Sequence, residues 1–259
     1  MSSLEKMLSL LDVFTPAAPV WATDDLIRYS GSPPSTCYRY IKVLHNAGFL
    51  ARVANGSYAL GPRILELDRT MRSCDPVYVA GSPVIRRLTQ DTGYSSLLCI
   101  LFSDSIMCVQ QELGEHAPPQ LFNRGQRRPL VAGASAKAIL AYLPMHQLRT
   151  LFAKHRKSIA AVGLGADWER FKRALRQIRQ DGYAITTGDY NPGITSIAAP
   201  LFNREGEVLG SVALAASVDR IDVAEFRART ADVLEAGREI SARIAATENL
   251  VDLPARAVG

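Results

Sequence analysis

Asn55-Gly56 separates two short runs of strand-forming residues, 49–54 and 57–60. A two-residue hairpin turn needs positive φ at both positions, which asparagine and glycine adopt with little strain. A β-hairpin is therefore expected early in the chain. What precedes it reads as helix. Leu4, Met7, Leu8 and Leu11 recur at i, i+3, i+4 and i+7, and Phe14 continues the stripe. Thr15-Pro16-Ala17-Ala18-Pro19 ends that helix. Thr23 is expected to be an N-cap, with Asp24 and Asp25 in the first turn. A short helix through Leu26, Ile27 and Tyr29 breaks at Gly31. Ser32 is a second N-cap candidate, with Pro33 suited to the first helical position. A third helix then runs to about Asn46, and Gly48 stops it.

Two short helices joined through a glycine turn and followed by a hairpin outline a winged helix-turn-helix. The third helix carries two distinct faces. Cys37, Tyr40, Ile41 and Leu44 form an apolar stripe. Ser35, Tyr38, Arg39 and Lys42 form the opposite one, which has no acidic residue, and Thr36 flanks its N-terminal side. Two cations, a hydroxyl and a phenol suit phosphate contact and base-edge readout. Arg52 is expected on the wing, near the phosphate backbone. After the hairpin, Gly61-Pro62-Arg63 opens a connecting helix that ends near Asp75-Pro76.

Charge is concentrated elsewhere. The net formal charge is +5, but residues 116–166 hold Arg124, Arg127, Arg128, Lys137, Arg149, Lys154, Arg156 and Lys157 with no Asp or Glu. That segment is +8, which leaves −3 for the rest. It reads either as an attractor for an acidic ligand or DNA, or as solvated helix faces. Cys37, Cys74, Cys99 and Cys108 form no C-x-x-C pair, and a reducing cytoplasm is expected. No apolar run reaches the roughly 18 residues that a membrane span needs. The first eleven residues lack a signal-peptide pattern.

Beyond residue 75 the pattern changes to strand pairs interspersed with helices. An entry helix from Pro76 ends at Gly93. Residues 94–102 and 106–112 flank Ser103-Asp104-Ser105 as a hairpin, which places Cys99 and Cys108 on adjacent strands. Residues 134–143 and 145–155 are helical in pattern, divided at Pro144. Trp168, Phe171, Leu175 and Ile178 mark a helix closed at Gly182. Residues 197–202 and 208–216 make a second hairpin around Asn203-Arg204-Glu205-Gly206, and one final helix is expected over 223–246. An antiparallel sheet with helices packed on it follows. Catalytic signatures are poor. Gly133-Ala134-Ser135-Ala136-Lys137 ends in Lys where a nucleophile elbow has Gly, no P-loop occurs, and no His pair stands at i, i+4. No enzyme activity, no cofactor and no metal site are expected.

The chain resembles the IclR family of bacterial regulators. The resemblance rests on Ser32-Pro33-Pro34-Ser35-Thr36-Cys37-Tyr38-Arg39, Gly48-Phe49-Leu50 and Tyr58-Ala59-Leu60-Gly61-Pro62-Arg63. It continues through Pro129-Leu130-Val131-Ala132-Gly133-Ala134-Ser135-Ala136-Lys137-Ala138, Gly182-Tyr183-Ala184 and Pro192-Gly193-Ile194-Thr195-Ser196-Ile197-Ala198-Ala199-Pro200. The blocks stand in family order over about residues 4–246. The family commonly has Lys where this chain has Pro34.

The resemblance implies an α+β protein: a winged helix-turn-helix over 1–60, a linker helix over 61–74, a GAF/PAS-like effector domain over 75–250 and a disordered tail over 251–259. It implies effector contacts at Ala134, Ser135, Thr186, Asp189, Ser196, Ala213 and Ala215. Relatives that bind small 2-oxo acids have hydroxyl side chains at the last two positions. A roomier, less polar pocket for an aromatic or longer organic acid is expected here. The start of the helix at Ala134 would offer its free N–H groups to a carboxylate. The leading expectation is a transcriptional regulator that binds operator DNA as a homodimer or homotetramer, in the cytoplasm and away from membranes. The alternative is a ligand-binding module with degenerate DNA binding that acts through protein contacts.

Overall fold

The computed structural model describes residues 2–115, 117, 118 and 121–248. The expected tail over 251–259, with residues 249 and 250, lies outside the described residues. The chain divides into two compact units, Met1–Cys74 and Asp75–Gly259.

The first unit begins with α1 (Ser3–Ser9), started by a capping box. Ser2 Oγ accepts the Glu5 N–H, and the Glu5 carboxylate accepts the Ser2 N–H. There follow β1 (Trp21–Ala22), α2 (Thr23–Ser30), α3 (Pro34–Asn46), β2 (Leu50–Arg52), β3 (Ser57–Leu60) and α4 (Arg63–Cys74). Neither expected N-cap holds that position. Ala22 caps α2, and Thr23 is its first helical residue. The Thr23 hydroxyl instead donates to the Gly56 carbonyl at 2.6 Å, which ties the hairpin turn to the start of α2. Pro33 caps α3 and Pro34 is helical, while Ser32 Oγ donates to the carbonyl of Ser30. Proline has no N–H to leave orphaned in a first turn.

Both turn residues take the expected positive φ, but the loop is longer than two residues: Arg52 pairs with Tyr58 and the Val53 N–H donates to the Ser57 carbonyl, which leaves Ala54, Asn55 and Gly56 in the turn. Asn55 has φ 58° and Gly56 has φ 70°. β3 lies at the centre of a three-stranded antiparallel sheet ordered β1-β3-β2. Arg52 and Trp21 both pair with Tyr58. β1 was not expected, because two residues carry no periodicity. The core joins Leu10, Val13, Leu26, Cys37, Tyr40, Ile41, Leu44 and Leu50, the last from the strand that leaves α3.

The second unit contains α5 (Pro76–Thr92), β4 (Ser95–Phe102), β5 (Ser105–Glu112), β6 (Arg127–Pro129), α6 (Ala134–Leu140), α7 (Met145–Ala161), α8 (Trp168–Asp181), β7 (Ala184–Thr187), β8 (Ile194–Phe202), β9 (Val208–Ser217), α9 (Val223–Ala228) and α10 (Thr230–Glu248). The single helix expected at the end is two, separated at Arg229, whose ψ of 5° leaves the helical range. The strands form one antiparallel sheet ordered β6-β5-β4-β9-β8-β7.

Strand alternation feeds a separate core on each side of the sheet. Leu97, Cys99, Ala198, Ala213 and Ala215 pack with α6, α7 and α8. Leu98, Ile197, Ala199, Val212 and Leu214 pack with α5, α9 and α10. A sheet covered on both faces needs apolar residues in both registers. This is why β4, β8 and β9 read as nearly unbroken apolar runs.

Candidate nucleic-acid interface and ligand cavity

Burial of Cys37, Tyr40, Ile41 and Leu44 leaves the opposite face of α3 to solvent. Ser35, Tyr38, Arg39 and Lys42 are all exposed there, and Thr36 is half-buried at its edge. Arg39, Lys42 and the exposed Arg52 of β2 make no ion pair with any described residue. The far end of α3 is braced by a residue that the sequence pattern did not single out. His45 Nδ1 donates to the Leu50 carbonyl at 3.0 Å, and its ring stands edge-on to Tyr58. Helix and hairpin are thereby held together through side chains as well as through the core.

In the second unit, a cavity of about 40 Å³ lies between the sheet and the start of α6. Ala134, Ser135, Ser196 and Ala215 line it, with Leu97, Ile106 and Ile194. The other three expected contacts lie outside this lining. Ala213 is packed into the core. Thr186 is buried on β7, where its carbonyl accepts the Thr195 hydroxyl at 3.2 Å. Asp189 is 2.6 Å from Lys137 Nζ and accepts the Gly133 N–H at 3.4 Å. A side-chain carboxylate of the protein thus already occupies the helix start that was expected to meet a ligand's. The roomier pocket is not found either, because Leu121 and Phe122 line the same small cavity as Ala215 and both are buried. Larger depressions of about 430 and 490 Å³ lie along α7 and share Asp104, Leu130, Leu151 and His155, but they are open surface grooves.

Folding sorts the basic segment residue by residue. Lys154 pairs with Asp104 at 2.7 Å. Arg124 donates to the carbonyl of Val109 and Arg156 to that of Ala166. Arg149 lies over Trp168 and Arg127 over Phe102. Lys157 is exposed. Arg128 alone among these cations lines the cavity. It stands on the edge strand β6 opposite Ile106, with its guanidinium carbon 4.3 Å from the ring centroids of both Phe122 and Tyr190. Burial lowers its pKa from the usual arginine value, and it remains a cation at any physiological pH.

Below the cavity, Cys99 and Cys108 face each other across β4 and β5 as buried free thiols. The Cys99 sulfur, and then burial, push the Cys108 thiol up from the ordinary thiol range. No group of three or more His, Cys, Asp or Glu among the described residues could hold a metal ion.

Comparison with known proteins covers both units. The family model of the IclR helix-turn-helix domain matches residues 3–54, and that of the bacterial transcriptional regulator IclR C-terminal domain matches residues 73–242. The HTH-type transcriptional regulator KipR of Bacillus subtilis is 25% identical over 242 residues, which is 93% of this chain and 96% of that protein. The transcriptional repressor IclR of Escherichia coli is 24% identical over 247 residues, 92% of this chain and 88% of that protein. Among solved structures, a putative IclR regulator from Silicibacter sp. TM1040 superposes with a TM-score of 0.77 at 27% identity, covering 94% of this chain and 96% of its own. An IclR homologue from Microbacterium hydrocarbonoxydans, complexed with 4-hydroxybenzoate, shares the fold with a TM-score of 0.74 at 21% identity over 95% of this chain and 100% of its own.

Proposed function

The chain belongs to the IclR family of bacterial transcriptional regulators, and from that premise we propose that a small organic acid, bound in the cavity beside α6, controls its attachment to operator DNA. It is a DNA-binding regulator of the IclR type. The observation that carries the DNA-reading surface is the exposed face of α3, where Ser35, Tyr38, Arg39 and Lys42 stand without an acidic neighbour. Ser35, Tyr38 and Arg39 supply base-edge and phosphate contacts, Thr36 and Lys42 flank them, and Arg52 meets the backbone from the wing. Pro34 is compatible with this role, since it sits at the start of α3 without disturbing the helix.

One recognition helix reads one half-site, so a symmetric operator calls for two copies. The exposed apolar residues of α4 support association: Leu65, Leu67 and Met71 are 73%, 41% and 47% exposed on that helix, and Leu67 and Met71, four residues apart, share one face. The acid effector is supported by the lining of the cavity and by the Microbacterium homologue, which was captured with an aromatic acid. Domains over 1–60, 61–74 and 75–250, a cytoplasmic setting and a purely regulatory, non-catalytic role complete the reading.

A mobility shift on the chain's own upstream DNA, at fixed salt, tests the DNA surface. Arg39→Ala should cost about 1–3 kcal/mol of operator affinity, whereas Lys154→Ala, on the second unit, should leave it within about twofold. Equal losses from the two changes would mean bulk electrostatic attraction and not a reading helix.

A further inference from the structure

We propose that Arg128, on the edge strand β6, is the group that recognises the effector's carboxylate, and that the effector is a carboxylic acid with an apolar body. The inference rests on the reading that the cavity beside α6 holds the effector. Its starting point is an unbalanced charge. The Arg128 side chain is half-buried at the lining of the cavity, yet it makes no hydrogen bond or ion pair with any described residue. Its guanidinium is held only by the faces of Phe122 and Tyr190. Aromatic faces attract a cation but leave its N–H groups without acceptors. Removing a guanidinium from water without an acceptor is costly, and a carboxylate answers that cost with paired, charge-assisted hydrogen bonds.

The competing anchor is already engaged. At the start of α6, the Gly133 N–H meets the Asp189 carboxylate, and Asp189 is neutralised by Lys137. An incoming anion would find no uncompensated positive charge there. The remaining lining is apolar except for Ser135 and Ser196. Such walls suit a hydrocarbon or aromatic body more than a second charge. Since the present cavity holds only about 40 Å³, a benzoate-sized ligand has to displace part of its cover. Phe122 and Arg128, both lining residues, are the side chains that would move with it.

Thermal shift and calorimetry on the full-length protein test this, using benzoate, 4-hydroxybenzoate and phenylacetate against the uncharged benzamide and benzyl alcohol. The expected result is binding of at least one acid to the wild-type chain with no comparable binding of its uncharged counterpart. Arg128→Met, which keeps length and removes the charge, should weaken that acid by about tenfold to a hundredfold, the worth of hydrogen bonds to a charged group. Arg128→Lys should fall between, because it keeps the charge and loses the two-pronged geometry. Circular dichroism checks that each variant folds, and Arg128→Lys carries the test if the methionine variant does not. Undiminished acid binding by the variants would overturn the role of Arg128 while leaving an acid effector in place. Equal binding of acids and uncharged analogues would overturn carboxylate recognition. No binding of any acid to the wild-type chain would overturn both this inference and the acid-effector reading beneath it.

Discussion

Lys137 and Asp189 form an ion pair whose side chains are 10% and 14% exposed, and Lys137 Nζ also donates to the Val162 carbonyl at 2.8 Å. Breaking such a pair leaves the surviving charge without compensation. Lys137→Met should destabilise the second unit by about 3–5 kcal/mol, read as a lower urea midpoint. Adding Asp189→Asn should restore much of that loss. A single variant as stable as the wild type would show that the pair contributes nothing. Residues like these set the limit of what the sequence could reveal. Local chemistry was legible, because Asn55-Gly56 states its own φ requirement and the two faces of α3 follow from helical spacing. Thr23 was misjudged because its hydroxyl partner, Gly56, is distant in the chain. Arg128 was hidden inside a run of like charges, and only the fold separates the cation that lines a cavity from those that meet solvent, carbonyls, aromatic rings or carboxylates.

Elements were readable in proportion to their length and to the chemistry at their ends. α5 and α8 end at Gly93 and Gly182, both left-handed, where the glycines predicted a stop. The break between α9 and α10 has neither glycine nor proline, so nothing in the local sequence announces it. Strands β1, β6 and β7 run two to four residues, too short for periodicity to register. Gly61 carries a stronger constraint than its glycine identity suggests. Its N–H donates to the Phe49 carbonyl at 2.7 Å, and a Cβ there would run into the carbonyl oxygen of Gly48. Gly61→Ala should therefore pry β3 from the end of α3 at a cost of at least about 1–3 kcal/mol, as forced overpacking does. Calorimetric unfolding would measure it, and DNA binding should weaken in parallel. An alanine variant of unchanged stability would mean that the close approach is readily relaxed.

For the whole molecule, the apolar residues of α4 bear on assembly. Replacing Leu65, Leu67 and Met71 by Lys should shift the protein toward monomer in sedimentation and reduce operator affinity, since two half-sites can no longer be bound together. An unchanged oligomer would place the contact between copies elsewhere. The general architecture was legible because patterns of period two and period 3.6 alternate along the second unit. The room inside it was not, because the meeting of Leu121 and Phe122 with Ala215 in the lining of one small cavity is a tertiary arrangement with no local signature. The two-sided sheet also governs how such a protein can diverge. In β9, Ala213 and Ala215 serve one core while Val212 and Leu214 serve the other. Inserting or deleting one residue there would exchange the two sets, sending small side chains where large ones are needed and bulky ones against α6. Over evolutionary time the central strands can change letter by letter but not in length. Gains and losses of residues are left to exposed turns such as Asn203-Arg204-Glu205-Gly206.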